Sequence, residues 1–262
     1  MKKYIVITGA SSGIGAATAR AFAQRGKNVI LIARREEKLL EVKEQIQQAC
    51  PEVDIVVHPF DLTQVAELEK LFQQLDSYFI EAWINNAGFG YYTMVEEQSI
   101  GRTSALLQLN VEALTILSML YVQKYQQQPQ TQLINISSAG GYTIVPTAVT
   151  YCASKFYVSS FTEGLALELR ASNSPLQAKV LAPAATKTEF GKVANNTTTY
   201  NYDQAFSRYH DSEEMAQFLM QLYDSDSIVG SIDRETFTFV LSDHKFSYAG
   251  TSKNNQQLTK EK

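Results

Sequence analysis

The sequence Tyr4-Ile5-Val6-Ile7-Thr8-Gly9-Ala10-Ser11-Ser12-Gly13-Ile14-Gly15 decides the fold. Its first four residues form a continuous apolar run, which is typical of a strand covered on both faces in a parallel sheet. A glycine-rich turn follows and leads into the helix-forming residues 16–25. A dinucleotide pyrophosphate site requires this order, because glycines permit a tight turn and the helix N-terminus offers free N–H groups to phosphate. A purely structural turn is the alternative, since the glycines are spaced G-x-x-x-G-x-G.

The end of the second predicted strand, residues 28–32, indicates which dinucleotide binds. A site selective for NAD usually has an acidic residue about twenty residues beyond the glycines, where it binds the ribose 2′-hydroxyl. This chain has Arg34 and Arg35 there, with no acid before Glu36. A guanidinium suits a 2′-phosphate, so we expect NADP(H) to be preferred over NAD(H), with Arg34 first in importance and Arg35 second. The alternative is that both arginines are solvated at a helix N-terminus.

Strands and helices alternate along the rest of the chain. The remaining predicted strands are residues 53–57, 82–84, 133–136, 178–181 and 237–241. The alternation predicts an α/β, single-domain, doubly wound Rossmann fold with a parallel sheet of about seven strands. We expect this domain to cover residues 1–249, with a substrate lid at about 186–209, because long loops in compact domains are usually functional. Residues 250–262 are expected to form a flexible polar tail.

Polar residues follow two of these strands and interrupt one helix. Asp61 can accept a hydrogen bond from an adenine amino group or cap the helix that begins near Thr63, and the sequence leaves both roles open. In Asn85-Asn86-Ala87-Gly88, paired amides can tie strands together while alanine and glycine leave room for a cofactor. Asn110 lies within a helix predicted from about residue 101 to 126. An asparagine is mildly unfavourable there, which indicates that it is needed for another contact.

A candidate catalytic group lies between Ser138 and Lys155. Tyr151 and Lys155 are four residues apart, so both side chains lie on one face of a helix. A free phenol has a pKa of about 10, and a nearby ammonium group favours the phenolate. We therefore expect Lys155 to lower the pKa of Tyr151 towards the range useful for general acid–base catalysis. Ser138 follows a strand and can present its hydroxyl to a substrate oxygen. Alone, the Y-x-x-x-K spacing arises easily by chance.

The composition excludes several classes of protein. The chain has 262 residues, of which 45% are hydrophobic and 19% charged, as in an ordinary globular protein. Its formal charge of −4 argues against nucleic-acid partners and against a polybasic membrane surface. No apolar run reaches the length of about 18 residues that a bilayer span needs. Cys50 and Cys152 form no C-x-x-C and the three histidines have no zinc spacing, so we expect no metal and a cytoplasmic location.

Together, these motifs resemble one family. They are Thr8–Gly15, Asn85–Gly88, Asn110, Ser138 and Tyr151-x-x-x-Lys155, and their order and spacing are similar to those of the short-chain dehydrogenases/reductases (the SDR family) over residues 1 to about 241. The resemblance implies an oxidoreductase that transfers hydride between a nicotinamide and the carbonyl or secondary alcohol of a small substrate. It also implies a homodimer or homotetramer, with the helices after Gly101 and Tyr151 as interfaces.

The resemblance implies a role for each catalytic residue. Tyr151 would be the general acid in carbonyl reduction and the general base in alcohol oxidation. Lys155 would lower its pKa and bind the nicotinamide ribose, and Ser138 would hold the substrate oxygen. Asn110 would anchor a water molecule in a proton relay that reaches Lys155.

The resemblance also implies a set of cofactor-binding residues besides Arg34, Arg35, Tyr151 and Lys155. They are Gly9, Ser11, Ser12, Gly13, Ile14 and Gly15 at the pyrophosphate and ribose, Asp61 and Leu62 beside the adenine, Asn86, Ala87 and Gly88 on the adenosine ribose side, and Pro183, Thr186 and Thr188 around the carboxamide. One position departs from the family: Pro183-Ala184 stands where Pro-Gly is common. Alanine fits there only if its φ is negative.

Three predicted pocket walls, residues 89–95, 140–149 and 186–209, favour an apolar or aromatic substrate. Their side chains are Tyr91, Tyr92, Met94, Tyr142, Ile144, Val145, Phe190 and Tyr200. One alternative function is a non-catalytic NADP(H)-binding sensor or regulatory protein, against which the complete Ser138, Tyr151 and Lys155 set argues. The other is a sugar-nucleotide epimerase or dehydratase, which usually needs a C-terminal substrate domain for which we expect no room.

Overall fold

A sheet of eight strands forms the centre of the protein in a computed structural model that describes residues 2–247. The strands are β1 (Lys3–Thr8), β2 (Asn28–Ala33), β3 (Ile55–Pro59), β4 (Phe79–Asn85), β5 (Gln132–Ile136), β6 (Gln177–Ala182), β7 (Val229–Ile232) and β8 (Phe239–Ser242). Their order across the sheet is β3-β2-β1-β4-β5-β6-β7-β8. Strands β1 to β7 are parallel and β8 is antiparallel to β7. The predicted doubly wound Rossmann sheet is therefore confirmed.

The strand that the sequence did not predict is β7. It has four residues, and Gly230 and Ser231 in its middle interrupt the apolar run by which a buried strand is recognised in the sequence. Gly230 is needed because a Cβ atom there would lie 2.8 Å from the ring of Phe239 on β8. The last predicted strand, residues 237–241, corresponds to β8, which begins two residues later because Phe237 has a positive φ of 62°.

Helices cover both faces of the sheet. They are α1 (Gly13–Gln24), α2 (Glu36–Ala49), α3 (Leu68–Gln74), α4 (Ile100–Leu107), α5 (Leu114–Tyr125), α6 (Val149–Ala171), α7 (Phe190–Ala194), α8 (Tyr202–Ala205) and α9 (Ser212–Asp224). Buried side chains of α1, α2 and α9 form one apolar core with the sheet, and those of α3, α5 and α6 form the other. The predicted tail, residues 250–262, lies outside the described residues, and the predicted domain boundary at residue 249 stays a prediction.

The helix predicted from about residue 101 to 126 is present but not uniform. A π-helical turn, Gln108–Ala113, separates α4 from α5. Together they form a stretch, Ile100–Tyr125, that is long and apolar enough to cross a membrane by length and composition alone. No uninterrupted apolar run in the sequence has this length, because polar residues such as Gln108 and Glu112 interrupt the stretch. Core helices meet the same criterion, and here Leu117 and Tyr121 are buried against the sheet.

The strand order reverses between β1 and β4. In doubly wound sheets, ligands bind outside the carboxyl ends of the strands at such a switch point. The segments that follow β1, β4, β5 and β6 all begin at this edge because the four strands are parallel neighbours. They contain the glycine turn, Asn85–Gly88, Ser138 and Pro183. The fold therefore brings the predicted site residues to one edge of the sheet.

Candidate active site

The glycine turn after β1 is tightly constrained. Gly9 and Gly13 have positive φ values of 65° and 54°, a conformation that glycine adopts without steric cost. A Cβ atom on Gly15 would lie 2.4 Å from the carbonyl oxygen of Gly9. Ser12 precedes α1 as its N-cap residue, and its side chain does not cap the helix. The first N–H groups of α1 are thus left to a ligand, as a pyrophosphate requires.

Side chains at the end of β4 fix this turn in place. The Thr8 hydroxyl accepts hydrogen bonds from the backbone N–H groups of Asn86 and Ala87, both at 3.0 Å. The Asn86 amide donates to the carbonyl oxygen of Thr8 at 2.9 Å. The Asn85 amide, at the end of β4, donates to the side-chain oxygen of Asn135 on the neighbouring strand β5 at 2.9 Å. The two asparagines do tie strands together, as the sequence indicated.

The arginines after β2 have different partners. Nη2 of Arg35 donates to the hydroxyls of Ser11 at 3.2 Å and Ser12 at 3.0 Å, and to the Glu189 carboxylate at 2.7 Å. Arg34 is largely exposed, and its guanidinium lies 4.0 Å from Oδ2 of Asp61. Arg35 is therefore the arginine that contacts the glycine turn. The predicted order of importance, Arg34 before Arg35, stays a prediction.

Asp61 and Leu62 mark the carboxyl end of β3. Oδ1 of Asp61 accepts hydrogen bonds from the backbone N–H of Thr63 at 3.0 Å and from its hydroxyl at 2.9 Å. Asp61 thus forms a local turn and does not cap a helix, because the N-cap residue of the 3₁₀ turn Val65–Glu67 is Gln64. The adenine contact stays a prediction. The Leu62 side chain is buried in the core, so only its backbone can border an adenine.

The candidate catalytic residues meet at the start of α6. Tyr151 and Lys155 are both buried on this helix. Nζ of Lys155 donates to the carbonyl oxygen of Ile136, at the end of β5, at 2.8 Å. Ser138 accepts a hydrogen bond from the backbone N–H of Gly140 at 3.0 Å. Its hydroxyl also lies beside the Tyr151 ring, because both groups would lie within 3.6 Å of a Cβ atom on Gly140. The first turns of α6 and the segment after β5 therefore bring a phenol, an ammonium group and a serine hydroxyl together.

Gly88 keeps space open beside these groups. A Cβ atom there would lie 3.0 Å from Oδ1 of Asn110 and 3.4 Å from Nζ of Lys155. The pyrophosphate turn, the serine hydroxyls with their arginine, and this cradle are all chemically suited to a nicotinamide dinucleotide. Among residues 2–247, no group of three or more His, Cys, Asp and Glu side chains could hold a metal ion.

Burial governs the ionisation of this site. It raises the pKa of Tyr151 well above the usual value for a phenol, and the hydrogen bond to Ser138 offsets only part of that effect. Burial also lowers the pKa of Lys155 to about 8. Removal from water favours the neutral form of both groups, so burial dominates the pKa of Tyr151. The expectation that Lys155 lowers this pKa stays a prediction. Near neutral pH the phenol keeps its proton.

The π turn accounts for Asn110. Its side chain is fully buried, where Oδ1 accepts from the backbone N–H of Phe89 at 3.1 Å and Nδ2 donates to the Phe89 carbonyl at 3.0 Å. Nδ2 also donates to the Ser154 hydroxyl at 3.2 Å. Asn110 thus holds the segment after Gly88 against α6. Ser154 had no signal of its own in the sequence beyond its place between Tyr151 and Lys155.

Two aromatic rings, one from the lid and one from the segment after β4, cover Tyr151. The Phe190 ring, on α7, lies 5.4 Å from the Tyr151 ring between centroids, and the Tyr92 ring lies 5.7 Å from it. The backbone N–H of Tyr92 donates to the carbonyl oxygen of Ala194 at 2.9 Å. Arg102 on α4 donates to Oδ1 of Asn196 at 3.0 Å and to the carbonyl oxygen of Val193. The lid is therefore closed on the phenol in this structure.

The base of the lid is also fixed. Thr186 forms a β-bridge with His210, and the backbone N–H of Lys187 donates to the His210 carbonyl at 2.8 Å. The Thr188 methyl group would lie 3.0 Å from a Cβ atom on Gly13, so this threonine touches the glycine turn. The Pro183 carbonyl accepts from the backbone N–H of Ala139, and Ala184 has no positive φ. The alanine that replaces the family's glycine is therefore accommodated.

The predicted pocket walls are only partly brought to the site. Tyr91, Tyr92 and Phe190 pack beside Tyr151. Met94, Ile144 and Val145 are exposed instead. The Tyr142 hydroxyl points to Glu163 on α6, and Tyr200 packs within the lid against Tyr202. The sequence did not indicate Arg102 and Glu189. Their partners are distant in the sequence, and only the folded lid brings them into contact.

The comparisons with known proteins agree on one family. A family model described as short chain dehydrogenase matches residues 3–199. A human protein, dehydrogenase/reductase SDR family member 11, is 30% identical over 191 residues, which are 71% of this chain and 74% of the human one.

Two solved structures are also similar. A short-chain dehydrogenase from Sphingobium yanoikuyae in complex with NADPH has a TM-score of 0.80 and 28% identity, covering 90% of this chain and 89% of the other. A bulky-bulky ketone specific alcohol dehydrogenase from Comamonas testosteroni has a TM-score of 0.75 and 28% identity, covering 88% of this chain and 86% of its own.

Proposed function

This chain belongs to the short-chain dehydrogenase family of oxidoreductases, and from that premise we propose that it is an NADP(H)-dependent reductase or dehydrogenase acting on the carbonyl or secondary alcohol of a small, apolar substrate. The observation that carries the proposal is the buried Tyr151 phenol, which lies beside Ser138 and one helical turn from Lys155. A protein that only binds a dinucleotide has no use for a buried phenol held in this way. When bound, the nicotinamide supplies or accepts the hydride.

The residues of the chain then handle the proton and the substrate oxygen. The Tyr151 phenol is protonated near neutral pH, so its proton is available for donation to a carbonyl oxygen as that carbonyl is reduced. The Ser138 hydroxyl lies beside the same phenol and would hold the substrate oxygen there. Lys155, which the Ile136 carbonyl holds one helical turn away, would stabilise the phenolate that remains. Asn110 positions the segment on the other side of Lys155.

Charge supports the preference for NADP(H). Arg34 and Arg35 both follow β2, and Arg35 reaches the hydroxyls of the glycine turn. Two positive charges there favour a 2′-phosphate over a 2′-hydroxyl. The similar Sphingobium protein is described in complex with NADPH.

The rings around Tyr151 support an apolar substrate. Tyr92 and Phe190 lie against the phenol, and Leu106 and Ala148 belong to the same buried cluster. A charged substrate would lose its hydration there without gaining an ionic partner. The Comamonas relative is described as specific for bulky ketones, which agrees with a ketone as the class of substrate.

The test is the substitution Tyr151→Phe, which removes one hydroxyl from an otherwise unchanged ring. We expect kcat for the reduction of a panel of apolar ketones by NADPH to fall at least about a thousandfold, because the proton donor is lost. The Kd for NADP⁺, measured by calorimetry, should stay within about twofold, because the pyrophosphate turn is untouched. Substantial retained activity would contradict the proposal. Tight NADP⁺ binding by a wild-type protein that turns over no carbonyl or alcohol would favour the sensor alternative.

Two coarser properties complete the proposal. Cys50 and Cys152 are both free thiols, which supports a reducing, cytoplasmic location. We also propose a homodimer or homotetramer, in which the partly exposed Tyr157 and Met119 of α6 and α5 contribute to the interface. Light scattering coupled to gel filtration would measure the mass in solution, and a monomer at micromolar concentration would contradict this part.

A further inference from the structure

The ion pair between Arg35 and Glu189 joins the lid to the cofactor site. Arg35 precedes α2 and Glu189 precedes α7, yet Nη2 of Arg35 lies 2.7 Å from Oε2 of Glu189. The same nitrogen donates to the hydroxyls of Ser11 and Ser12 in the glycine turn. Glu189 and Ser12 therefore share one nitrogen of Arg35. The carboxylate thus lies where the turn and the arginine meet.

This carboxylate is ionised at neutral pH. The hydrogen bond from Arg35 lowers its pKa below the usual value for a glutamate, and Arg35 and Lys38 add favourable charge interactions. A 2′-phosphate bound by Arg35 would therefore lie close to the Glu189 carboxylate, which already contacts the same guanidinium. Like charges within a few ångströms repel, even where water screens them.

Glu189 also lies between two residues that contact the site on either side. Thr188 packs against Gly13 of the glycine turn, and Phe190 packs against Tyr151. A shift of Glu189 away from Arg35 therefore acts on a threonine at the cofactor turn and on a ring over the catalytic phenol. The pair is half-exposed, with 47% of the Arg35 side chain and 50% of the Glu189 side chain accessible, so it can open without disrupting the core.

We propose that Glu189 is a specificity-determining residue, whose carboxylate competes with the 2′-phosphate of NADP(H) for Arg35 and so links the choice of dinucleotide to the position of the lid. This inference rests on the proposed function, because it presupposes that the turn binds a nicotinamide dinucleotide. It goes beyond that function in assigning to a lid residue a penalty against the phosphorylated cofactor. With NAD(H), which has no 2′-phosphate, Glu189 keeps its contact with Arg35.

Glu189→Gln tests this with little change of shape, because glutamine keeps a hydrogen-bonding oxygen and loses the charge. We expect the Kd for NADP⁺, measured by calorimetry, to fall about five- to tenfold, and the Kd for NAD⁺ to change less than about twofold. The gain for NADP⁺ should shrink as salt rises, because screening weakens the repulsion that the substitution removes.

Glu213→Gln is the matched control, because Glu213 forms an ion pair of the same 2.7 Å length with Arg20 on α1. It should leave both Kd values unchanged. An equal change in the two Kd values of Glu189→Gln, or no change in either, would overturn the inference and leave the proposed function standing. Failure of the wild-type protein to bind either dinucleotide would overturn both.

Discussion

The ring of Phe190 lies 5.4 Å from the ring of Tyr151, so a residue of the lid packs directly on the catalytic phenol. Tyr92 packs on the same two rings from the segment after β4. Tyr151 is only 6% exposed as a result. We therefore expect a substrate to reach the phenol only when Phe190 moves, and opening of the lid to accompany each turnover.

Arg102→Ala is expected to loosen this lid. The substitution removes the hydrogen bonds to Asn196 and Val193 and the contact of the guanidinium with the Tyr91 ring. Amide hydrogen exchange across residues 190–196 should speed up about tenfold, as expected for a loss of about 1–2 kcal/mol in local stability. Arg170→Ala is the control, because Arg170 also bonds one side chain and one carbonyl but far from the lid. Unchanged exchange in Arg102→Ala would show that other contacts hold the lid.

Asn110→Leu is expected to destabilise the whole fold. The leucine fills a similar volume, but the backbone N–H and carbonyl of Phe89 lose their partners in a buried site. An unsatisfied buried group costs about 1–3 kcal/mol, so the free energy of unfolding should fall by about 2–5 kcal/mol in urea titrations. Asn195→Leu, which removes one bond to Gly191 at a less buried position, should cost less than about 1 kcal/mol. An equal decrease in the free energy of unfolding of the two variants would show that the hydrogen bonds of Asn110 do not stabilise the fold more than that of Asn195.

The buried charge of Lys155 predicts how stability depends on pH. Its pKa is about 8 in the folded protein and 10.5 in the unfolded chain. Between these values the unfolded state binds more protons, so the stability of the folded state rises with pH. Below about pH 8 both states are charged and the full cost of burying the ammonium group is present.

Comparison with Lys155→Met isolates this effect. From about pH 7.5 to about pH 9.5, the wild-type protein should gain about 2 kcal/mol of stability relative to the variant in urea titrations. Lys70→Met, on the exposed surface of α3, is the control and should show the pH dependence of the wild type. A difference between wild type and Lys155→Met that stays constant with pH would contradict the lowered pKa.

Arg34→Ala and Arg35→Ala should each reduce the preference for NADPH. A charge-assisted hydrogen bond contributes about 1.5–3 kcal/mol, so the ratio of kcat/KM for NADPH to that for NADH should fall about ten- to a hundredfold. We predicted the larger effect for Arg34, whereas the contacts of Arg35 with Ser11 and Ser12 favour Arg35. Kinetics with both cofactors would decide the order. A wild-type preference for NADH would refute the expected selectivity itself.

Most of the sheet was predictable because strands β1 to β6 contain short apolar runs that end in polar or small residues. Strand β7 was not predicted, because Gly230 and Ser231 break that pattern. Its glycine is needed for contact with the Phe239 ring, which follows later in the sequence. The antiparallel direction of β8 follows from a short connection between the last two strands, which is visible only when both strands are known.

The site was predictable as a set of residues but not in its ionisation or its lid. Spacing places Tyr151 and Lys155 on one helix face, yet it carries no information about burial, which dominates the pKa of both. The polar segment from 186 to 209 has no periodic pattern, although it contains α7 and α8. Its contacts with Arg35 and Arg102 join residues that are distant in sequence, and no local rule predicts them.

The π turn at Gln108–Ala113 has one residue more than the α-helical turn it replaces. A chain lacking that residue would continue from α4 to α5 as a single α-helix, and both helices would keep the faces they now turn towards the sheet. The insertion is therefore not required by the architecture. What it provides is a position from which the buried Asn110 side chain reaches Phe89 and Ser154. A deletion of one residue here is expected to separate Asn110 from these partners, so that the segment after Gly88 is no longer held against α6.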